Sequence, residues 1–173
     1  MQPLFGEAMP YDGGSYGEGI LSRLVFYRSQ NHPLPFLEGH EPRAALEIEL
    51  KLENQEIIKF IGTHLDHTEN DEDRLRQTKE INRIFQNTEE AMILAGDMNA
   101  APESEVIKEL EKIWYDCANN KDFFTYPSDN PKERIDYIFV KPAERWEVLE
   151  IHPVCDIKGS DHCGVFAVLY LKK

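Results

Sequence analysis

Alternation of apolar and polar positions marks much of this chain as strand. Ala44, Leu46, Ile48 and Leu50 alternate with Glu47, Glu49 and Lys51, the two-residue period of a strand with one buried face. Residues 57–64 form a second apolar run, and Asn54-Gln55 between the two predicts a hairpin. Met92-Ile93-Leu94-Ala95 is short and continuously apolar, as in a strand buried on both sides. Further strands are expected at residues 135–140, 146–151 and 165–169, and another around Ile20, Leu21, Val25 and Phe26. Helical spacing is rarer. Residues 70–86 carry Leu75, Thr78, Ile81, Ile84 and Phe85 on one stripe, with Asn70 as a cap and Asp71, Glu72 and Asp73 suiting the positive end of the dipole. Residues 102–114 carry Val106, Ile107, Leu110 and Ile113, with Pro102 fit for a first turn. Turn-forming residues predict loops at Tyr11-Asp12-Gly13-Gly14-Ser15, at Asn31-His32-Pro33-Leu34-Pro35 and at residues 126–131. Many strands with a few interspersed helices predict an α/β layered sandwich forming one domain over residues 1–173.

The 173 residues are enough for one domain with a substantial core, and no internal repeat or linker interrupts them. No apolar run approaches the roughly 20 residues of a membrane-spanning helix. The first residues, Met1 to Glu7, lack the basic and apolar regions of a signal peptide, which makes the cytoplasm the default location. With 32 acidic and 19 basic side chains the formal net charge is −13. Nucleic-acid binding usually rests on Lys and Arg neutralising phosphates, so this balance disfavours a broad nucleic-acid surface and an anionic membrane surface alike. Cys117, Cys155 and Cys163 form no Cys-x-x-Cys pair, and an odd number of cysteines reads as free buried thiols in a reducing compartment.

Polar residues stand at the ends of the apolar runs. Thr63-His64-Leu65-Asp66 ends one, Gly96-Asp97-Met98-Asn99 ends the next, Arg134-Ile135-Asp136-Tyr137 opens a third and Ser160-Asp161-His162 precedes the last. Each alone is more often a turn, a cap or a salt bridge. Strand ends on one rim of a sheet, however, make a natural ligand crevice, and four elements bringing His, Asp, Asn and Asp-His to one rim is what a hydrolytic site needs.

The order of these segments, preceded by Gly17-x-x-Ile20-Leu21-Ser22-Arg23 and Arg43-Ala44-Ala45-Leu46, closely resembles the endonuclease/exonuclease/phosphatase family from about Gly14 to the C-terminus. The resemblance implies two packed β-sheets flanked by helices. It implies that Asp97 orients or deprotonates the attacking water, and that Asn99 contacts the scissile phosphate. His64 would neutralise charge developing there. His162 would contact phosphate or water, with Asp136 holding its imidazole. Asp161 takes a metal-ligand position, usually for Mg2+ or Mn2+. Tyr16 is a secondary candidate. Arg23 and Arg43 more readily pair with carboxylates, and Asp66 and His67 read as loop residues.

Two elements of the family pattern, a strand carrying an Asn and a strand ending in Gln-Glu whose Glu is the principal metal ligand, find no match before Gly17. Glu7 and Glu18 follow no apolar strand, and Gln55-Glu56 lies in the wrong place. The expectation is an N-terminally truncated domain with open sheet edges prone to self-association. The implied activity is metal-dependent hydrolysis of a small or lipid-linked phosphate ester. The alternatives are a nuclease of the same family, or a weakened remnant that binds through the same rim.

Overall fold

Residues 1–119, 121–156 and 158–172 are described by a computed structural model. The centre is a six-stranded sheet of β3 (Phe26–Leu34), β4 (Arg43–Lys51), β5 (Ile57–His64), β6 (Ala91–Asp97), β7 (Tyr115–Asp116) and β8 (Asp136–Lys141). Its order is β3-β4-β5-β6-β8-β7. All neighbours are antiparallel except β5 and β6. A parallel pair needs a crossover, and here helix α1 (Glu72–Phe85) supplies it. With α2 (Glu105–Leu110), α1 covers one face of the sheet, where Ile81, Phe85, Val106 and Leu110 pack on Ile61 and Leu94. The other face carries two separate hairpins. One pairs β1 (Gln2–Tyr11) with β2 (Gly14–Ser22), the other β9 (Trp146–Val154) with β10 (Gly164–Leu171). Their inner side chains, Ile20, Trp146 and Ile151 among them, meet Leu46, Ile48 and Val140. The layered sandwich expected from the sequence is therefore present.

Several local expectations change. β1 carries little apolar alternation because its one buried position is a glycine. Gly6 is packed so closely that a Cβ there would lie 2.7 Å from Asn31 Oδ1 and 2.9 Å from Leu46. The strand expected across Ile20 to Phe26 is two strands. Ser22 Oγ accepts the Leu24 N–H at 2.9 Å and turns the chain, leaving Leu21 and Val25 exposed. The loop expected at residues 31–35 is largely the end of β3, where Pro33 is tolerated because β3 is an edge strand. α2 begins later than Pro102, at Ser104, whose hydroxyl accepts the Ile107 N–H. At the start of α1, Asn70 accepts the Glu72 N–H, while Asp71 holds the N-cap position without a side-chain cap.

β4 is not half-buried as its alternation suggests, because both layers cover it. Ala45 belongs to the helix-side core and Leu46 to the hairpin-side core. Glu47 is buried and bound to His32 (2.7 Å) and Lys59 (3.0 Å). Burial pushes its carboxyl up, but the His32 and Lys59 hydrogen bonds outweigh it and leave the pKa below the usual value.

β6 ends at a position only glycine can fill. A Cβ on Gly96 would sit 1.7 Å from the Thr63 carbonyl oxygen of β5, and its φ of +154° disfavours L side chains in any case. Gly96→Ala is expected to destabilise the fold by on the order of 3 kcal/mol, read as a lower urea midpoint, because the β5 backbone at Thr63 would have to move away.

Candidate active site

Strand register builds the rim. His64 is the last residue of β5 and pairs in register with Asp97, the last of β6. Asp97 in turn pairs with Asp136, the first residue of β8. Three strands thus place three polar side chains in one row at one end of the sheet. The loop between β9 and β10 adds His162 from above. Its Nδ1 lies 2.9 Å from Asp136 Oδ2, and its Nε2 lies 3.9 Å from Asp97 Oδ2. His64 Nε2 approaches the same Asp97 oxygen at 3.4 Å. Asp97 Oδ2 therefore stands between two imidazoles. The Tyr126 ring packs on His162, centroids 4.8 Å apart.

Asp136 is free to hold His162 because its neighbour Arg134 is engaged elsewhere. Arg134 makes a buried ion pair with Asp116 and stacks over Tyr137 at 4.4 Å. Thr125 Oγ1 accepts the backbone N–H groups of Ile135 and Asp136 and fixes the entry to β8. Asn99 has a positive φ of 47°, a conformation Asn tolerates. This bends the chain so that its N–H donates to Asp97 Oδ1 (2.8 Å) and its side-chain amide to the Leu65 carbonyl (3.0 Å).

The electrostatics separate the roles of the two histidines. Burial pushes His64 down to about 4, helped by the charges of Arg43, His162 and His67. Arg43, a donor only, gives a hydrogen bond to Tyr16 Oη (3.1 Å), and Tyr16 can pass its own O–H to His64 Nδ1 (3.0 Å). His64 is then a neutral imidazole whose Nε2–H faces Asp97. Burial also acts on His162, but the hydrogen bond and charge of Asp136, with Asp97 and Asp161, outweigh it and raise its pKa. Asp97 is raised to about 6 by burial and by repulsion from Asp136, against the Asn99 N–H, His162 and Arg43.

Of the six residues singled out in the sequence, His64, Asp97, Asn99, Asp136 and His162 meet at this rim. Asp161 stands beside them on the same loop, close enough for its charge to act on His162, with its side chain exposed and its carbonyl oxygen accepting the Ser128 N–H. Ligand atoms of Asp97, Asp136 and His162 lie within 4.8 Å of one another. The rim opens on one side into a cleft of about 290 Å³ bounded by Asp97, Asp136, Ser160 and His162. On the His64 side lies a second, of about 270 Å³, walled by Tyr11, Tyr16, Arg43 and His67. Another cavity, of about 470 Å³ between β3, β4, β5 and the end of α1, contains none of the six.

Sequence reasoning sets Glu18 aside because it follows no apolar strand. It lies on the same face of β2 as Tyr16 and Ile20 and is raised to about 7, first by burial and also by Asp97, against Arg43 and the His64 backbone N–H. The two-residue period Tyr16-x-Glu18-x-Ile20 was the available signal. Arg43 behaves as expected, pairing with Glu41 at 2.9 Å. The reading of three free thiols is corrected. Cys155 and Cys163 form a disulfide with Cα atoms 4.2 Å apart, and Cys117 alone is free and buried. The bridge joins the two ends of the segment that presents Asp161 and His162.

A family model described as the endonuclease/exonuclease/phosphatase family matches residues 4–162. Among solved structures, a functionally unknown conserved protein from Enterococcus faecalis V583 is similar at 26% identity and TM-score 0.83, over 99% of this chain and 77% of that one. An endonuclease/exonuclease/phosphatase from Bacteroides vulgatus matches at 20% identity and TM-score 0.81, over 99% and 76%. A mannosyl-6-phosphatase from Bacteroides thetaiotaomicron matches at 17% identity and TM-score 0.72, over 98% and 77%. No curated protein matches the chain in sequence.

Proposed function

The chain belongs to the endonuclease/exonuclease/phosphatase family, and on that premise we propose that it hydrolyses small phosphate esters with the help of a divalent metal ion. The observation that carries the reading is the approach of both His64 and His162 to one oxygen of Asp97 at 3.4 and 3.9 Å. A carboxylate placed between two imidazoles at a strand end is a base with a neutral donor on one side and a cation on the other.

In this reading Asp97 takes the proton of the attacking water. Its pKa of about 6 leaves it ionised at neutral pH yet basic enough to accept that proton. His64, neutral, donates Nε2–H to a non-bridging phosphate oxygen. His162, whose protonated form Asp136 favours, attracts another oxygen as negative charge develops. Asn99 offers the amide hydrogen that Leu65 leaves unused. Carboxylate oxygens predominate around the rim, and burial holds two of them, on Asp97 and Glu18, above their usual pKa. This hard, under-compensated donor set fits Mg2+ or Mn2+. Asp161 would hold the ion, with Glu18 as a further carboxylate on the rim. Such an ion, when bound, supplies charge neutralisation at the phosphate and acidifies bound water.

The net charge of −13 favours a small ester over nucleic acid, and the likeness to a mannosyl-6-phosphatase supports the same substrate class. The exposed Leu21, Leu149, Phe166 and Tyr170 of the two hairpins support self-association through that layer. The test is incubation with Mg2+ or Mn2+ and, separately, a chromogenic phosphomonoester, a chromogenic phosphodiester and plasmid DNA. Metal-dependent release from the small esters, with plasmid left intact, is the expected result. Plasmid nicking without ester release would make the chain a nuclease. Tight phosphate binding with no turnover on any substrate would make it a binding remnant.

A further inference from the structure

Behind the rim, where the chain leaves β5, two aspartates are buried with too few partners. Asp66 and Asp73 are both fully buried. Asp66 Oδ1 accepts the N–H of Thr68 at 2.8 Å and also its hydroxyl, whereas Asp66 Oδ2 has no hydrogen-bond partner at all. Asp73, in the first turn of α1, accepts the Leu37 N–H on Oδ1 at 3.0 Å and meets His40 Nδ1 with Oδ2 at 2.5 Å. Ligand atoms of His40, Asp66 and Asp73 lie within 4.8 Å of one another.

The neighbouring donors are engaged elsewhere. Arg74 turns its Nε and Nη2 to Asp71 Oδ1 (2.9 and 2.6 Å) and its Nη1 to the carbonyl oxygens of Asp66 and Thr68 (3.0 and 2.6 Å). Gln77 accepts from the Asp66 N–H and donates to the Pro35 carbonyl. One imidazole therefore faces two buried carboxylates. The Thr68 hydrogen bonds and the charges of His67 and Arg43 outweigh burial and hold the Asp66 carboxyl below its usual pKa, while its Oδ2 is left as a buried ligand atom with no hydrogen-bond partner.

We propose that His40, Asp66 and Asp73 form a second cation site, separate from the catalytic rim, for a divalent ion of intermediate hardness such as Zn2+ or Mn2+. Two carboxylates and one imidazole are the mixed oxygen and nitrogen set such ions prefer, and hard Ca2+ or Mg2+ gains little from the imidazole. Bonds of about 2.0–2.2 Å need only small side-chain rotations to draw these donors around one ion. His40 supplies the route in, since 26% of its side chain is exposed. The bound ion would add a further link among three segments already joined by hydrogen bonds: the loop after β3, the segment after His64 and the start of α1. Its effect is on the stability of the wall behind the rim, and the chemistry of Asp97 does not depend on it.

The test uses the full chain, stripped with a chelator and titrated calorimetrically with zinc chloride or, separately, manganese chloride. A variant with Asp97→Asn and Asp161→Asn is run in parallel, so that binding at the rim is weakened while the second site is left intact. That variant is expected to bind one ion and to gain thermal stability from it. Adding His40→Ala, a partly exposed position that leaves the fold in place, should weaken the binding at least about tenfold and abolish the thermal gain. Asp73→Asn should do the same, with circular dichroism checking that the helix persists. No saturable binding in the rim variant, or binding indifferent to His40→Ala, would overturn the proposal. Because the readout is ion binding in a chain without its base, this outcome is independent of whether the ester assays succeed.

Discussion

Asp97→Asn is expected to lower metal-dependent ester hydrolysis by about 10²–10⁴-fold, the usual contribution of a positioned general base, while making the folded protein more stable at neutral pH. The two effects have one cause. Asp97 sits where burial and the charge of Asp136 oppose its ionisation, and its pKa is raised to about 6 from the usual 3.8. The folded state therefore holds a proton on Asp97 across a pH range where the unfolded chain has released it. Stability from this group is full below about pH 4 and is lost as pH rises through about 6. An amide of the same shape removes that loss. The raised value already contains the attraction to His162 and Arg43, so the gain at neutral pH is on the order of 2–3 kcal/mol. Thermal midpoints should separate variant from wild type above about pH 6 and converge below about pH 4. The wild-type turnover itself should fall on the acid side through about pH 6 as the base is protonated. Near-normal turnover in Asp97→Asn would remove it from the mechanism, and equal midpoints at neutral pH would show that the site is not strained by its charge.

The same balance explains what could be read from the sequence and what could not. His64, Asp97 and Asp136 were legible because each ends or begins an apolar run, and strand register then forces them into one row. His162 was legible through its place in Ser160-Asp161-His162, although its contact with Asp136 spans 26 residues of sequence and depends on Arg134 choosing Asp116. β1 was not legible. Its inward positions are occupied by residues such as Gly6, where close approach to Asn31 and Leu46 takes the place of hydrophobic bulk. Glu47 was misread because period-two alternation cannot tell a solvent-facing residue from one covered by a second layer, where Lys59 and His32 compensate it. Glu18 was set aside for a related reason. A carboxylate on the inner face of a strand departs from the hydrophobic pattern, and such departures are where functional groups are expected. The disulfide depends on the tertiary return of β10 alongside β9, which brings Cys155 and Cys163 together and which no count of cysteines encodes.

His162→Ala should lower turnover by about 10²–10³-fold, and comparison with Asp136→Asn separates the charge of the imidazole from its mere presence. His162 is held by one hydrogen bond, Nδ1 to Asp136 Oδ2, and reaches toward Asp97 with Nε2. Burial works against its protonation, and Asp136 does most to reverse that, through both the hydrogen bond and its charge. Its folded pKa is therefore above the unfolded one. The stabilisation it brings is present at low pH and is lost as pH rises through the raised value. If the imidazolium is the active form, turnover must fall on the alkaline side as that proton leaves. Asp136→Asn keeps the ring but weakens its hold on the proton, so the alkaline fall should move to lower pH with a smaller loss at its optimum. His162→Ala should abolish that alkaline fall and move the acid limb of Asp97 to higher pH, because the charge of His162 holds that pKa down. His64 cannot substitute, because its pKa near 4 leaves it neutral throughout this range. Rate profiles against pH for the three proteins, on one chromogenic ester at saturating Mn2+, measure all of these shifts. An alkaline limb unmoved by Asp136→Asn would mean that the two side chains touch without acting together.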